Sequence, residues 1–317
     1  MPAAGNEVTH PRPTSKSGGP LKPRRSRLSR NETIWGWTFV SPWIIGFFAF
    51  TALPIALSAW YSFTAYNIYQ PPRFIGTANY TVLMTDPLFW TAMYNTFYYT
   101  FISVPLMMVI ALFLALLLNT KLPGMGVFRT IYFLPSVLSG VGVALLWMWV
   151  FNPGSGLINS VLEIFGIRGP LWLHSPEWSK PAMIIMSLWG VGGVMVINLA
   201  GLQSIPGSLY DAAKIDGAGW WAQLRYVTIP MLSPTLFFNF ITLTIGSLQI
   251  FTQAYVMTDG GPVNSTLFYV FYLFNTAFEN LRMGYASAMA WILFLIIVGF
   301  SLFQIRMSRR WVYYEES

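Results

Sequence analysis

Six stretches of this chain run twenty residues or more with scarcely a charged side chain, at roughly 36–64, 93–118, 127–151, 181–203, 231–257 and 285–306. A helix rises about 1.5 Å per residue, so some 20 apolar residues match the ~30 Å hydrocarbon layer of a bilayer, and a lone helix satisfies its own backbone there. Composition points the same way. With 55% hydrophobic and 9% charged residues among 317, the chain has too little polar surface for a water-soluble globule. The expectation is an all-α, polytopic membrane protein with six transmembrane helices. Pro42 and Pro54 should bend the first of them.

Residues 1–30 are rich in Pro, Ser, Gly and basic side chains, and are expected to form a disordered basic tail. The six-helix domain would then occupy 31–310, followed by a short tail, 311–317. With the N-terminus inside, fourteen of the eighteen basic residues fall on the inner side; Arg73, Arg168, Lys180 and Arg282 are left outside. That bias predicts cytoplasmic N- and C-termini under the positive-inside rule. A seventh apolar segment, Leu267–Phe278, is only about a dozen residues long. It is expected to lie at the outer surface as an interfacial or re-entrant helix.

Several chemistries are excluded. There is no cysteine, and the two histidines, His10 and His174, stand far apart in polar segments, so neither a metal site nor a Ser-His-Asp triad is expected. The turn Asp259-Gly260-Gly261 lacks the lysine and following Ser or Thr of a phosphate cradle, and no nucleotide-binding motif occurs elsewhere. No catalytic residue is assigned.

A polar island carrying four charges stands between two long apolar runs within 205–230: Tyr210–Pro230, YDAAKIDGAGWWAQLRYVTIP. Pro206 suits the start of a short helix, with Asp211 in or near its first turn, where the helix dipole favours a carboxylate. Gly217 and Gly219 should end that helix, one of them at positive φ. A second short helix over Trp220–Arg225 would follow, closed by a kink at Pro230. The product is a helix–turn–helix elbow on the cytoplasmic side.

This elbow resembles the EAA loop of permease subunits of ATP-driven (ABC) importers, which reads Glu-Ala-Ala, three residues, Gly, nine residues, Ile-x-Leu-Pro. Here Asp211, Ala212, Ala213, Gly217, Val227, Ile229 and Pro230 keep every spacing, with Asp for Glu, Val for Ile and Ile for Leu. Further segments look like the carbohydrate-uptake branch, the relatives of maltose and glycerol-3-phosphate permeases: Phe74–Tyr80, Arg129–Pro135, Phe151–Asn159 and Thr258–Thr266. The resemblance implies a type I ABC importer permease fold in a bacterial or archaeal cytoplasmic membrane. It implies a second homologous permease, two ATPase subunits that bind Mg-ATP and dock on the elbow, and an extracytoplasmic solute-binding protein. This chain itself would hold no cofactor. Asn79, Asn152, Gly260, Gly261 and Pro262 would face the binding protein.

A path for a polar solute needs hydrogen-bonding groups inside the spans, where they are costly unless they face a cavity or a partner. The candidates are Asn95, Asn198, Asn239, Thr242, Gln249, Thr252, Gln253 and Tyr255, interleaved with aromatics suited to sugar rings. Asn239, Thr242 and Gln249 recur at helical spacing and are expected on one polar face. The spans hold no buried charge, which favours a neutral solute and a sugar or polyol derivative. The competing reading is a secondary transporter of a neutral solute; a proton- or ion-coupled carrier would be expected to carry an acid within a span.

Overall fold

The computed structural model describes residues 27–120 and 122–313, so residues 1–26 of the tail expected over 1–30, Lys121 and the last four residues lie outside the described residues. A helix has already begun at Arg27. The chain divides into two units, Met1–Ala56 and Leu57–Ser317.

The described part of the first unit is helical and contributes most of α1, a helix of 32 residues over Asn31–Ser62. Trp35, Trp37, Phe39, Trp43 and Phe50 are all more than half exposed on it, which in water would be ruinous and in lipid is ordinary. Its ladder widens to a π-turn at Phe48–Ala52, immediately before Leu53-Pro54. Proline offers no N–H and its ring strikes the carbonyl one turn back, so a wide turn there lets the helix continue.

In the second unit, β1 (Thr64–Asn67) and β2 (Gln70–Phe74) form a small antiparallel hairpin, with Thr64 opposite Phe74. Asn67 closes the turn by accepting from the Gln70 N–H at 2.8 Å. The helices then follow in order. They are α2 (Ala78–Thr85), α3 (Pro87–Leu118), α4 (Met125–Phe133), α5 (Gly140–Val150), α6 (Leu157–Ile164), α7 (Ser179–Trp189) and α8 (Gly192–Ser204). After these come α9 (Gly207–Ile215), α10 (Trp220–Leu248), α11 (Thr252–Met257), α12 (Tyr269–Phe274) and α13 (Met283–Ser308).

The long helix α3 is the spine. Asp86 caps its start by accepting from the Leu88 N–H at 2.9 Å, with Pro87 in the first turn where no N–H is needed. The other carboxylate oxygen accepts from the hydroxyls of Tyr272 and Tyr285, each at 2.6 Å, tying three separate segments together. Burial pushes this carboxyl up, but the hydrogen bonds from Tyr272, Tyr285 and the backbone outweigh it and leave Asp86 below its ordinary value. Toward the elbow, fully buried Ala111 and Ala115 let α3 approach the cluster of Val191, Met195, Leu199 and Leu232 closely. Gly192 is required in the same region, since a Cβ there would stand 2.2 Å from the Tyr132 carbonyl oxygen.

Several expected spans are interrupted. The third is two helices, with the Met125–Val137 segment and α5 meeting at 100°, and the fourth bends by 45° between α7 and α8. The fifth, expected over 231–257, starts earlier at Trp220, stops at Leu248 and resumes as α11. The short Leu267–Phe278 segment is not peripheral as expected. Phe268, Tyr269 and Phe271 in it are essentially inaccessible, and the Tyr269 N–H donates to Thr96 Oγ1 on α3 at 2.9 Å.

Candidate functional site

Two places gather the residues that the sequence singled out. The first is a cavity of about 470 Å³, within the ~300–1,000 Å³ range of small-molecule sites. Its wall is made where helices break: Pro135, Ser136 and Gly140 at the 100° bend, Trp189 and Gly190 at the 45° bend, and Gln249 to Gln253 at the interruption between α10 and α11. Broken helices are tolerated at membrane depth where they line a cavity, because the freed backbone groups need partners. Thr242, Gln249, Thr252 and Gln253 line it, together with Ser136, Ser187 and Ser247, which no sequence argument had singled out. Tyr99 and Trp189 add aromatic faces, and none of the lining side chains is charged.

The remaining path candidates separate from this group. Asn239 and Asn198 are buried and face each other, Asn239 Nδ2 donating to Asn198 Oδ1 at 2.8 Å, so they join α10 to α8 rather than line the cavity. Helical spacing placed Asn239 with Thr242 and Gln249, but only the latter two reach the cavity wall. Asn95 is also structural. It donates to the carbonyls of Asn264 and Leu267 and accepts from Lys180 Nζ at 2.9 Å, pinning the loop before α12. Tyr255 sits beside the cavity, half exposed and stacked on Phe251.

Among the residues expected to face a binding protein, two are corrected. Asn79 is buried and donates to the carbonyls of Ser62 and Thr64 at 2.9 Å each, locking the hairpin to α2. Gly260 is buried against Phe271. Asn152 is exposed but accepts from the Gly154 and Ser155 N–H groups, the bond pattern of a side-chain-closed turn. Gly261 and Pro262 are half-buried, and the loop tip is Val263 and Asn264.

The second place is the elbow. The first helix, α9, ends in a Schellman turn: the Ala218 N–H donates to the Ala213 carbonyl at 2.8 Å and the Gly217 N–H to the Lys214 carbonyl at 3.0 Å. That closure puts Gly217 at φ +79°, whereas Gly219 keeps an ordinary φ of −69°. Gln223 Nε2 caps the Ala218 carbonyl at 2.8 Å, and the hydroxyls of Tyr210 and Thr228 meet at 3.0 Å across the two arms. Asp211 lies in the second turn of α9, not the first, and forms an exposed pair with Lys214 at 3.2 Å. The second arm is not a separate helix. It runs through a π-turn at Leu224–Thr228, just before Ile229-Pro230, and continues as α10 in the pattern seen at Pro54. Asp211, Ala212 and Gly217 are exposed, as are the large apolar faces of Ile215, Trp220 and Trp221.

Residues 32–313 match the family described as "Binding-protein-dependent transport system inner membrane component". The chain belongs to this family. It is 39% identical over 297 residues to the probable ABC transporter permease protein YesP of Bacillus subtilis, covering 92% of this chain and 96% of that one. It is 39% identical over 293 residues to the lactose transport system permease protein LacF of Rhizobium radiobacter, covering 90% and 97%. Among solved structures, a chain of a bacterial ABC transporter that imports the acidic polysaccharide alginate superposes with a TM-score of 0.79 at 26% identity, covering 90% of this chain and 99% of that one. The chain is thus an all-α permease subunit of an ABC importer, an inner-membrane component and not itself the ATPase. The secondary-transporter alternative is set aside on that ground.

Proposed function

We propose that this permease carries a neutral sugar or polyol derivative, handed over by an extracytoplasmic solute-binding protein, through the cavity lined by Thr242, Gln249, Thr252 and Gln253. The single observation that supports this reading is the convergence of three helix breaks on one uncharged wall of hydroxyls, amides and aromatic faces. Hydroxyl-rich solutes exchange hydrogen bonds with such groups, and nothing in the wall supplies a counter-charge for an ionic one. Relatives that carry lactose or trehalose and maltose in their names make sugars the natural class.

A single subunit supplies half of the pathway, and a second homologous permease supplies the other half. Two ATPase subunits that bind Mg-ATP receive the elbow on the cytoplasmic side, at Asp211, Ala212, Ala213, Gly217, Val227, Ile229 and Pro230. Both chain ends, including the segments 1–30 and 311–317, lie on that same side. The elbow is well suited to pass on force, because its second arm and the cavity wall belong to one helix. That helix, α10, runs unbroken over 29 residues, about 44 Å from Trp220 to the break at Gln249. ATP-driven closure of the ATPase pair would tilt this helix and alternate the exposure of the cavity.

The test is uptake of radiolabelled lactose, maltose and trehalose by cells carrying the complete transporter, with ATP depletion set against an ionophore. ATP-dependent, ionophore-resistant uptake of at least one sugar is expected. Uptake that collapses with the ionophore alone, or none of any sugar, would overturn the reading.

A further inference from the structure

We propose that Phe251, Tyr255, Phe274 and Phe278 form an aromatic ramp along which the sugar ring slides into the cavity from the end opposite the elbow; this rests on the sugar-permease reading above. The four rings are continuous. Phe251 lines the cavity and stacks on Tyr255, with centroids 5.4 Å apart and planes 16° from parallel. Phe274 touches both, at 5.1 Å from Phe251 and 5.5 Å from Tyr255, and Phe278 follows one turn later at 5.0 Å from Phe274.

The stack is closed on one side and open on the other. Phe271 forms the floor at 1% exposed, Phe251 and Phe274 are half-buried, and Tyr255 and Phe278 are open at 47% and 59%. An aromatic cluster that only packed a core would be covered instead. A lipid-facing cluster would have apolar surroundings, but Phe278 is followed by exposed Glu279 and Asn280, and beside Phe251 stand Thr252 and Gln253. An open apolar face rimmed by polar groups and continuous with a cavity is the form of a ligand track.

The chemistry fits a pyranose. One face of such a ring is a set of C–H bonds, which rest on the electron-rich face of an aromatic ring without demanding a fixed register. Stacking of this kind guides without trapping. Tyr255 adds a hydroxyl that engages no hydrogen bond among the described residues, so it is free to meet a sugar hydroxyl. Phe278 lies within the π-turn Asn275–Glu279 and is the most exposed of the four rings.

The experiment measures sugar uptake kinetics in the complete reconstituted transporter, with its binding protein in fixed excess, for whichever of lactose, maltose and trehalose the wild type carries. Tyr255→Ala and Phe278→Ala should each raise KM about three- to tenfold while leaving the saturating rate and subunit assembly near wild type. Tyr255→Trp should restore KM. Unchanged KM in both alanine variants would remove the ramp and leave the transport reading standing. A loss of assembly or of saturating rate that Tyr255→Trp does not repair would show that the rings serve packing, again removing only the ramp. If the wild type carries none of the three sugars, the transport reading fails and the ramp with it.

Discussion

The elbow and the cavity are the two regions to which we assign roles by proposal, and they are built in opposite ways. The elbow is local: its helix, turn and second arm come from a single run, 205–230, and its shape is held by hydrogen bonds between near neighbours such as Ala218 to Ala213 and Gln223 to Ala218. The cavity is assembled from α3, three helix breaks and α10, with lining residues from Tyr99 to Gln253. Under the proposed roles, a docking surface for a folded partner must keep its shape by itself, whereas a solute path must be able to change shape when helices tilt. Short-range closure would serve the first need and long-range assembly the second.

The largest effect that would sharpen this contrast is at Gly217. A Cβ there meets nothing within 4 Å, so space is not the constraint; φ +79° and the outward face are. Left-handed backbone costs an ordinary residue about 1 kcal/mol, too little by itself to dismantle the subunit. Gly217→Asp is expected to cut uptake more than about tenfold and to reduce copurification of the ATPase, with permease pairing intact. Gly207→Asp, on an open position without positive φ, is the control and should be mild. Full ATPase retention and uptake in Gly217→Asp would show that the elbow is only a loop.

Next in size is the separation between Asn239 and Gln249, two polar residues of one apolar run. Asn239→Leu strips Asn198 of its partner in a buried setting and should cost about 1–3 kcal/mol, read as a lower Tm of the purified complex, with KM unchanged. Gln249→Leu, on the cavity wall, should leave Tm alone and raise KM. A reversed pattern would exchange their roles.

Asp86 offers a smaller, pH-dependent effect at the end of α3. Its carboxyl is held below the ordinary 3.8, so the stabilisation is present above that value and is lost as pH falls through the lower folded pKa. Melting of the wild type should therefore be flat from neutral pH down to about 5 and fall below about 4, while Asp86→Asn should be less stable at neutral pH by roughly 1–3 kcal/mol and lack this acid step. Smallest is Tyr210→Phe, which removes the bond to Thr228 across the elbow and should lower Tm by the equivalent of about 1 kcal/mol or less. If it uncoupled ATP hydrolysis from uptake as strongly as Gly217→Asp, the two arms would be acting as a hinge and not as one rigid piece.

What the amino-acid order determined by itself was whatever depends on neighbours in the chain. Apolar length called for membrane helices, and the spacing from Asp211 to Pro230 called for an elbow with a left-handed glycine, which is Gly217. Asp211, expected in or near the first turn, stands just past it, because a helix start cannot be located to the residue from propensity alone. The tertiary structure decided the matters that turn on which faces meet. Asn239 and Thr242 are three residues apart on one helix, yet one is buried against Asn198 and the other opens on the cavity, because a partner on α8 stands opposite only the first. The Phe268–Phe271 stretch reads as interfacial by length but is buried, since Asn95 and Thr96 on α3 hold it through bonds to residues about 170 positions away. Polar residues in an apolar run look alike in sequence; burial against a partner or against a void is what separates them, and that is set only when the helices are packed together.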